Sequence, residues 1–345
     1  MNGLVAVSVG IVLVVLNKSR IMMSTVFLNF RLLLLFSFFP VFIIGCKKAE
    51  QRDNPDDNKV YTLQKEELNV AYGSHPLQKM DIYFPDGFNE NTPVVFVIHG
   101  GGFIAGTKEN FTTQAKMYMS KGFVTVNLSH RLVDATGLDR MPPLRINSAI
   151  KVTDEVADVA AAVEKYKSLA SGYGSGTARM YMVGHSAGGT LAMLYVQGDK
   201  NTNKQVKASA NLAGLANLTL SEELYSNPPQ HEYWPNIKEL LYRLTGEEPI
   251  ASNALSLMAI SPNWVSSLHK PGMPNITVMS NTNDKDLRFE PYFNTIDDAR
   301  KYDRELKSRG VRSEFIIMDT DHGFGRNPGD WEKAIKYTTD FFRKN

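Results

Sequence analysis

The segment Gly184-His185-Ser186-Ala187-Gly188-Gly189 lies between an apolar, strand-like run at 180–183 and a helix-like run at 190–196. A chain that leaves a buried strand and enters a helix within so few residues must turn sharply. A serine at the apex then sits on a strained turn, with its hydroxyl lifted above the end of the sheet. The residues two before and two after it must be small because the backbones pack closely there, and Gly184 and Gly188 occupy both positions. Taken alone, the hexapeptide also fits an ordinary glycine-rich strand-to-helix turn. Two distant segments favour the reactive-serine reading.

The first is His99-Gly100-Gly101-Gly102-Phe103, directly after the apolar run 93–98. Glycines here let main-chain N–H groups approach a substrate oxygen with no Cβ in the way, as an oxyanion hole requires. The expected donors are the N–H groups of Gly101, Gly102 and Ala187, with His99 and Gly100 in support. No Lys-Ser/Thr follows, so a phosphate-binding loop is not indicated. The second segment is Asp321-His322-Gly323-Phe324, after the strand pattern 313–318. Its position after the last strand makes His322 the expected general base. His185 adjoins the serine and is expected to line or support the site. An orienting carboxylate should follow the preceding strand, whose loop reads Ser280-Asn281-Thr282-Asn283-Asp284-Lys285-Asp286. Asp284 is the first candidate and Asp286 its rival. Asp319 and Asp321 are less suited, since they share a short loop with the base they would have to orient.

These motifs resemble the α/β-hydrolase superfamily, in its esterase/lipase branch with the H-G-G-G element, akin to hormone-sensitive-lipase-like enzymes. The stretches 69–73 and 78–85 also resemble the start of bacterial carboxylesterases and feruloyl-esterase-like enzymes, and the likeness covers roughly residues 60–345. The resemblance implies Ser186 as nucleophile, His322 as base, Asp284 as acid, and Gly101, Gly102 and Ala187 as oxyanion donors. It implies a serine carboxylesterase acting on short- to medium-chain acyl esters, with neither metal nor organic cofactor. The substrate would be a small ester, an esterified carbohydrate being one candidate. In one respect the chain departs from the pattern: many relatives carry His-Gly and a proline around the acid loop, and this loop has neither. An amidase or exopeptidase on the same scaffold is the alternative. A catalytically silent binding protein is disfavoured by the intact serine, histidine and aspartate set.

Strand patterns at 67–72, 79–84, 94–98, 123–128, 179–183, 208–212, 276–279 and 313–318 alternate with helical ones at 111–120, 149–169, 190–197, 295–309 and 330–343. In the 149–169 helix, Val152, Val156, Val159, Ala160 and Val163 recur at helical spacing and are expected to face the sheet. The predicted architecture is α/β: a mostly parallel, eight-stranded, doubly wound sheet with antiparallel opening strands and helices on both faces. The stretch 218–257 interrupts the alternation, is too long for a simple loop, and carries Tyr225, Tyr233, Trp234, Leu240, Leu241, Tyr242 and Leu244. A small helical lid that shapes the pocket is expected there, with the catalytic domain running from 61 to 345.

Residues 1–45 contain apolar runs at 4–16 and 21–45, with Lys18, Arg20 and Arg31 as the only charges. This composition describes an export signal, and Ile43-Ile44-Gly45-Cys46 resembles a bacterial lipobox with Cys46 as the lipid-modified residue. Cys46 is the chain's only cysteine, so no intrachain disulfide forms. An uncleaved membrane anchor is the competing reading of the second run, and Met22 or Met23 as the true start would leave a signal of conventional length. The sequence thus predicts a protein exported to the cell envelope and anchored to a bacterial membrane through Cys46, with 46–60 as a flexible tether. With 38 basic against 36 acidic residues and no basic stripe, nucleic acid is not an expected partner.

Overall fold

The computed structural model describes residues 59–221, 223–224, 232–287 and 293–345. The signal, Cys46 and nearly all of the tether lie outside the described residues, as does Tyr225 of the insertion. Among the described residues, no helix is long and apolar enough to cross a membrane.

The strands are β1 (Leu63–Ala71), β2 (Lys79–Pro85), β3 (Val94–Ile98), β4 (Val124–Leu128), β5 (Met180–His185), β6 (Val206–Leu212), β7 (Asn275–Ser280) and β8 (Ser313–Met318). They form one eight-stranded sheet in the order β1-β2-β4-β3-β5-β6-β7-β8. β1 and β2 enter antiparallel, and from β4 to β8 every pairing is parallel. The sheet is therefore the mostly parallel, eight-stranded one predicted.

Covering both faces of a parallel sheet demands near-continuous apolar strands, and β3 shows how the alternation is used. Val94, Phe96 and Ile98 face a core built with Val152, Val159 and Val163 of α2 (Val152–Tyr173). Val95 and Val97 face the opposite core, with Tyr118 of α1 (Thr112–Ser120) and with Phe341 and Phe342 of the C-terminal helix Asp330–Arg343. Phe96 meets the Tyr166 ring edge-on at 5.6 Å, and truncating so deeply buried a phenylalanine to alanine costs about 3–5 kcal/mol. Ala160 also packs against the α2 side as a partly buried residue.

The topology fixes the position of the site. β4 lies on one side of β3, and α2 carries the chain across to β5 on the other. The chain's direction of winding therefore switches at β3, and the loops leaving β3 and β5 border a crevice at the carboxyl ends of the strands. Ile98 pairs with Gly184 in that register, which sets the His99–Gly102 loop against Ser186.

The insertion after β6 contains the helix Trp234–Thr245 and the short helices Ala254–Met258 and Pro262–Leu268. Gly246 ends the first of these in a left-handed conformation. Arg243, fully buried, fastens this helix to the 134–144 loop. Its guanidinium donates to the carbonyls of Asp134 (2.8 Å), Thr136 (3.0 Å) and Leu144, and pairs with Glu239 at 2.7 Å.

Candidate active site

β5 ends at His185 and α3 (Ala187–Gln197) starts one residue after Ser186. Ser186 adopts φ 52°, ψ −125°, unusual for a residue with a side chain. Such strain costs on the order of 1–3 kcal/mol and persists only where the surroundings impose it. Here the Ser186 N–H donates to the Leu212 carbonyl of β6 at 2.8 Å. A Cβ on Gly184 would stand 2.0 Å from the Gly188 carbonyl oxygen, and one on Gly188 would stand 2.4 Å from the carbonyl oxygens of Ile98 and His99. Both positions therefore exclude any side chain.

The glycine loop curls over this elbow. Gly101 (φ 129°) and Gly102 (φ 62°) take conformations that favour glycine, and the Gly101 carbonyl accepts from Ile104 N (3.1 Å) and Ala105 N (3.0 Å). Among the described residues, the N–H groups of Gly101, Gly102 and Ala187 donate no hydrogen bond. Gly102, Ser186 and Ala187 share the wall of one cavity. His99 is buried, donates Nδ1–H to the Gly100 carbonyl at 2.8 Å, and stacks on His130 at 4.5 Å. It is part of the loop's foundation.

His322 is fixed through its main chain from two sides. Its carbonyl accepts from His185 Nε2 at 2.7 Å, and its N–H donates to Asp286 Oδ2 at 2.7 Å. His185, the residue before Ser186, thus holds the loop that carries His322. Its ring is enclosed by Phe111, Phe324 and Trp331. That enclosure lowers its pKa to about 4, with the neighbouring His322 acting in the same direction. Burial also lowers the pKa of His322, while Asp286 and then Asp321 pull it back up. Neither Ser186 Oγ nor His322 Nε2 is hydrogen-bonded among the described residues, and such catalytic contacts often tighten only with substrate bound.

The acid loop departs from expectation. The structure does not bring Asp284 to His322; instead, Asp284 Oδ1 receives the backbone N–H (2.9 Å) and the hydroxyl of Thr295. The group on His322 Nδ1 is the amide oxygen of Asn283, at 2.6 Å. Asp286, the rival candidate, meets the main chain of His322 and not its ring. The reason is local. Residues Asn283–Asp286 form a single helical turn, in which consecutive side chains point about 100° apart. Asn283 and Asp286, three positions apart, share the side of the turn toward His322, Asn283 on its ring and Asp286 on its backbone N–H, while Asp284 points away to Thr295. No sequence signal in the loop marked Asn283 or Thr295.

Beside Ser186 and Gly102 lies a cavity of about 120 Å³, walled by Leu215, Leu218, Ile237, Leu240, Leu241, Leu244, Leu287 and Phe293. Apart from Ser186, none of the described lining residues carries a polar side chain. A larger cavity of about 250 Å³, near Trp264 and Leu268, includes none of the site residues.

The sequence matches the BD-FAE family model over residues 80–266, more than half of the chain. The chain belongs to the BD-FAE family. Among curated relatives, kynurenine formamidase of Salmo salar is 28% identical over 167 residues, covering 47% of this chain and 50% of that protein. Kynurenine formamidase of Danio rerio is 23% identical over 259 residues, 74% of each chain. Among solved structures, a truncated carbohydrate esterase from gut microbiota superposes with a TM-score of 0.61 at 19% identity, covering 83% of this chain and 97% of that one. The matched stretch thus spans half of the salmon protein's length. Family and fold together place this BD-FAE member in the esterase branch of the α/β-hydrolases.

Proposed function

We propose that the protein is a serine carboxylesterase acting on esters with a short- to medium-chain apolar acyl group. The observation that carries this reading is the aliphatic cavity that meets Ser186 beside Gly102 and Ala187. In the first half-reaction, His322 Nε2 takes the Ser186 hydroxyl proton as Oγ attacks the ester carbonyl. The N–H groups of Gly101, Gly102 and Ala187 hold the developing oxyanion, and the proton passes to the departing alcohol. Water then attacks the acyl-serine by the same route and releases the acid. Each donor of this kind lowers the barrier by about 3–4 kcal/mol. An esterified carbohydrate as the alcohol part belongs to the same proposal.

The relatives named kynurenine formamidase favour an amidase as second reading. An aminopeptidase has less support, since among the described residues lining the aliphatic cavity none is a carboxylate to receive an ammonium group. A panel of aryl esters of graded acyl length beside the matching anilides, run with Ser186→Ala, separates these readings. Ester turnover that vanishes in the variant is the expected outcome. Anilide turnover exceeding ester turnover would replace the proposal with the amidase. Anchoring through Cys46 in the cell envelope is proposed from the sequence alone; loss of metabolic fatty-acid labelling in Cys46→Ala tests it.

A further inference from the structure

We infer that Asn283, Thr295 and Asp284 form a relay that sets the tautomer of His322, with a neutral amide in the place next to the histidine ring and the carboxylate two hydrogen bonds further back. The inference rests on the serine-hydrolase reading above. The carboxylate of Asp284 accepts both the backbone N–H and the hydroxyl of Thr295 at Oδ1. A threonine hydroxyl has one proton to give, so once that proton points at Asp284, Thr295 Oγ1 can act only as acceptor toward its other neighbour. That neighbour is Asn283 Nδ2, at 2.6 Å. The amide is thereby locked with its NH₂ on Thr295 and its oxygen on His322 Nδ1, at 2.6 Å. An amide oxygen cannot donate, so the ring proton must reside on Nδ1, which leaves Nε2 with the lone pair that a general base needs.

Asn283, Thr295 and Asp284 are all buried. The interior strengthens such a chain, and no water competes for its links. Asn283 and Thr295 are positioning residues: they act on the serine through His322. The arrangement also separates two tasks that one carboxylate usually performs. Asn283 orients the ring, whereas Asp286, on the His322 backbone N–H, supplies nearby negative charge.

The test uses the full-length protein with Asn283→Ala, Asn283→Asp, Thr295→Val and Asp284→Asn. Each is checked for folding by thermal melting and assayed with 4-nitrophenyl butanoate across pH, with ring ¹⁵N NMR of His322 run in parallel. The relay predicts that wild-type His322 carries its proton on Nδ1, and that Thr295→Val yields a mixture of tautomers. It predicts that Asn283→Ala lowers kcat about 10²-fold or more at nearly constant KM. Asn283→Asp, which puts a charge directly on the ring, should stay active with the acidic limb of kcat/KM moved up by about one pH unit or more. The inference is overturned if Asn283→Ala and Thr295→Val turn over and titrate like wild type while folded Asp284→Asn is inactive, which would return Asp284 to direct contact. An unshifted limb in Asn283→Asp would also overturn it. The NMR tautomer needs no turnover, so failure of the relay is distinguishable from failure of the serine reading, which Ser186→Ala decides.

Discussion

Because Asp286 holds the His322 backbone N–H and His185 holds its carbonyl, the titration of His322 depends on burial set against a few identifiable charges. In the proposed role of general base it must be neutral, so activity should fall as pH drops through its pKa. Burial places that pKa below the ordinary histidine value of 6.5, and the acidic limb of kcat/KM should have its midpoint below pH 6.5. Asp286 is the leading charge pulling the pKa up, so Asp286→Asn should move the limb further toward acid. A pH–rate profile of both proteins checks the pair of statements, and an upward shift in the variant would refute the second. His185, lowered to about 4, stays neutral across this range and should add no limb of its own. At this scale the settings of Ser186 and His322, each just after a strand, were legible in the sequence. The histidine's partner was not. In a one-turn helix a shift of one residue rotates the side chain by about 100°, and nothing in Asn-Asp-Lys-Asp states which side chain faces inward.

The helix Trp234–Thr245 shapes the pocket with aliphatic residues: Ile237, Leu240, Leu241 and Leu244 face the cavity. Of the aromatic residues that stand out in the sequence, the described ones do not line it: Tyr233 is exposed, and Trp234 packs against the core. Leu244→Phe should therefore shift the preferred acyl chain to shorter esters with little change in melting temperature, which a graded 4-nitrophenyl ester series would detect. Arg243 holds the opposite side of that helix. Replacing it with alanine leaves Glu239 and three loop carbonyls short of a donor and should destabilise the protein by about 3 kcal/mol or more. Denaturant unfolding measures this, and an unchanged midpoint would show that the pin is dispensable. Elements with a clear period were readable in advance. β3, β8 and the helix Asp330–Arg343 match the sequence reading at both ends, and the others differ by a few residues at their ends, where fraying and capping decide.

Across the whole molecule, four histidines, His99, His130, His185 and His322, have their pKa values lowered by burial, His130 to about 3 and His185 to about 4. Below pH 6.5 the unfolded chain binds protons at these positions that the folded protein refuses, so stability is lost as pH falls through the window from 6.5 toward 4. Glu155 acts in the opposite sense: burial raises its pKa well above the ordinary value, so its contribution is lost as pH rises above 4.5. His130 Nδ1 and Glu155 Oε2 lie 3.8 Å apart, and with one lowered and the other raised the pair is neutral rather than ionic. Asp298, also raised by burial, acts with Glu155; the four histidines outnumber these two carboxylates, and the melting temperature should be lower at pH 5 than at pH 7. Equal values would contradict this balance. The topology was readable from strand and helix alternation, and it alone brings the glycine loop, the elbow and the histidine loop to one end of the sheet. The central claim is that Ser186 becomes acylated. Mass spectrometry of the protein quenched during turnover of a slowly deacylated aryl ester tests this directly. The account predicts one acyl group, on the peptide containing Ser186, and none in Ser186→Ala; full turnover with Ser186 unmodified, or retained in the variant, would contradict it.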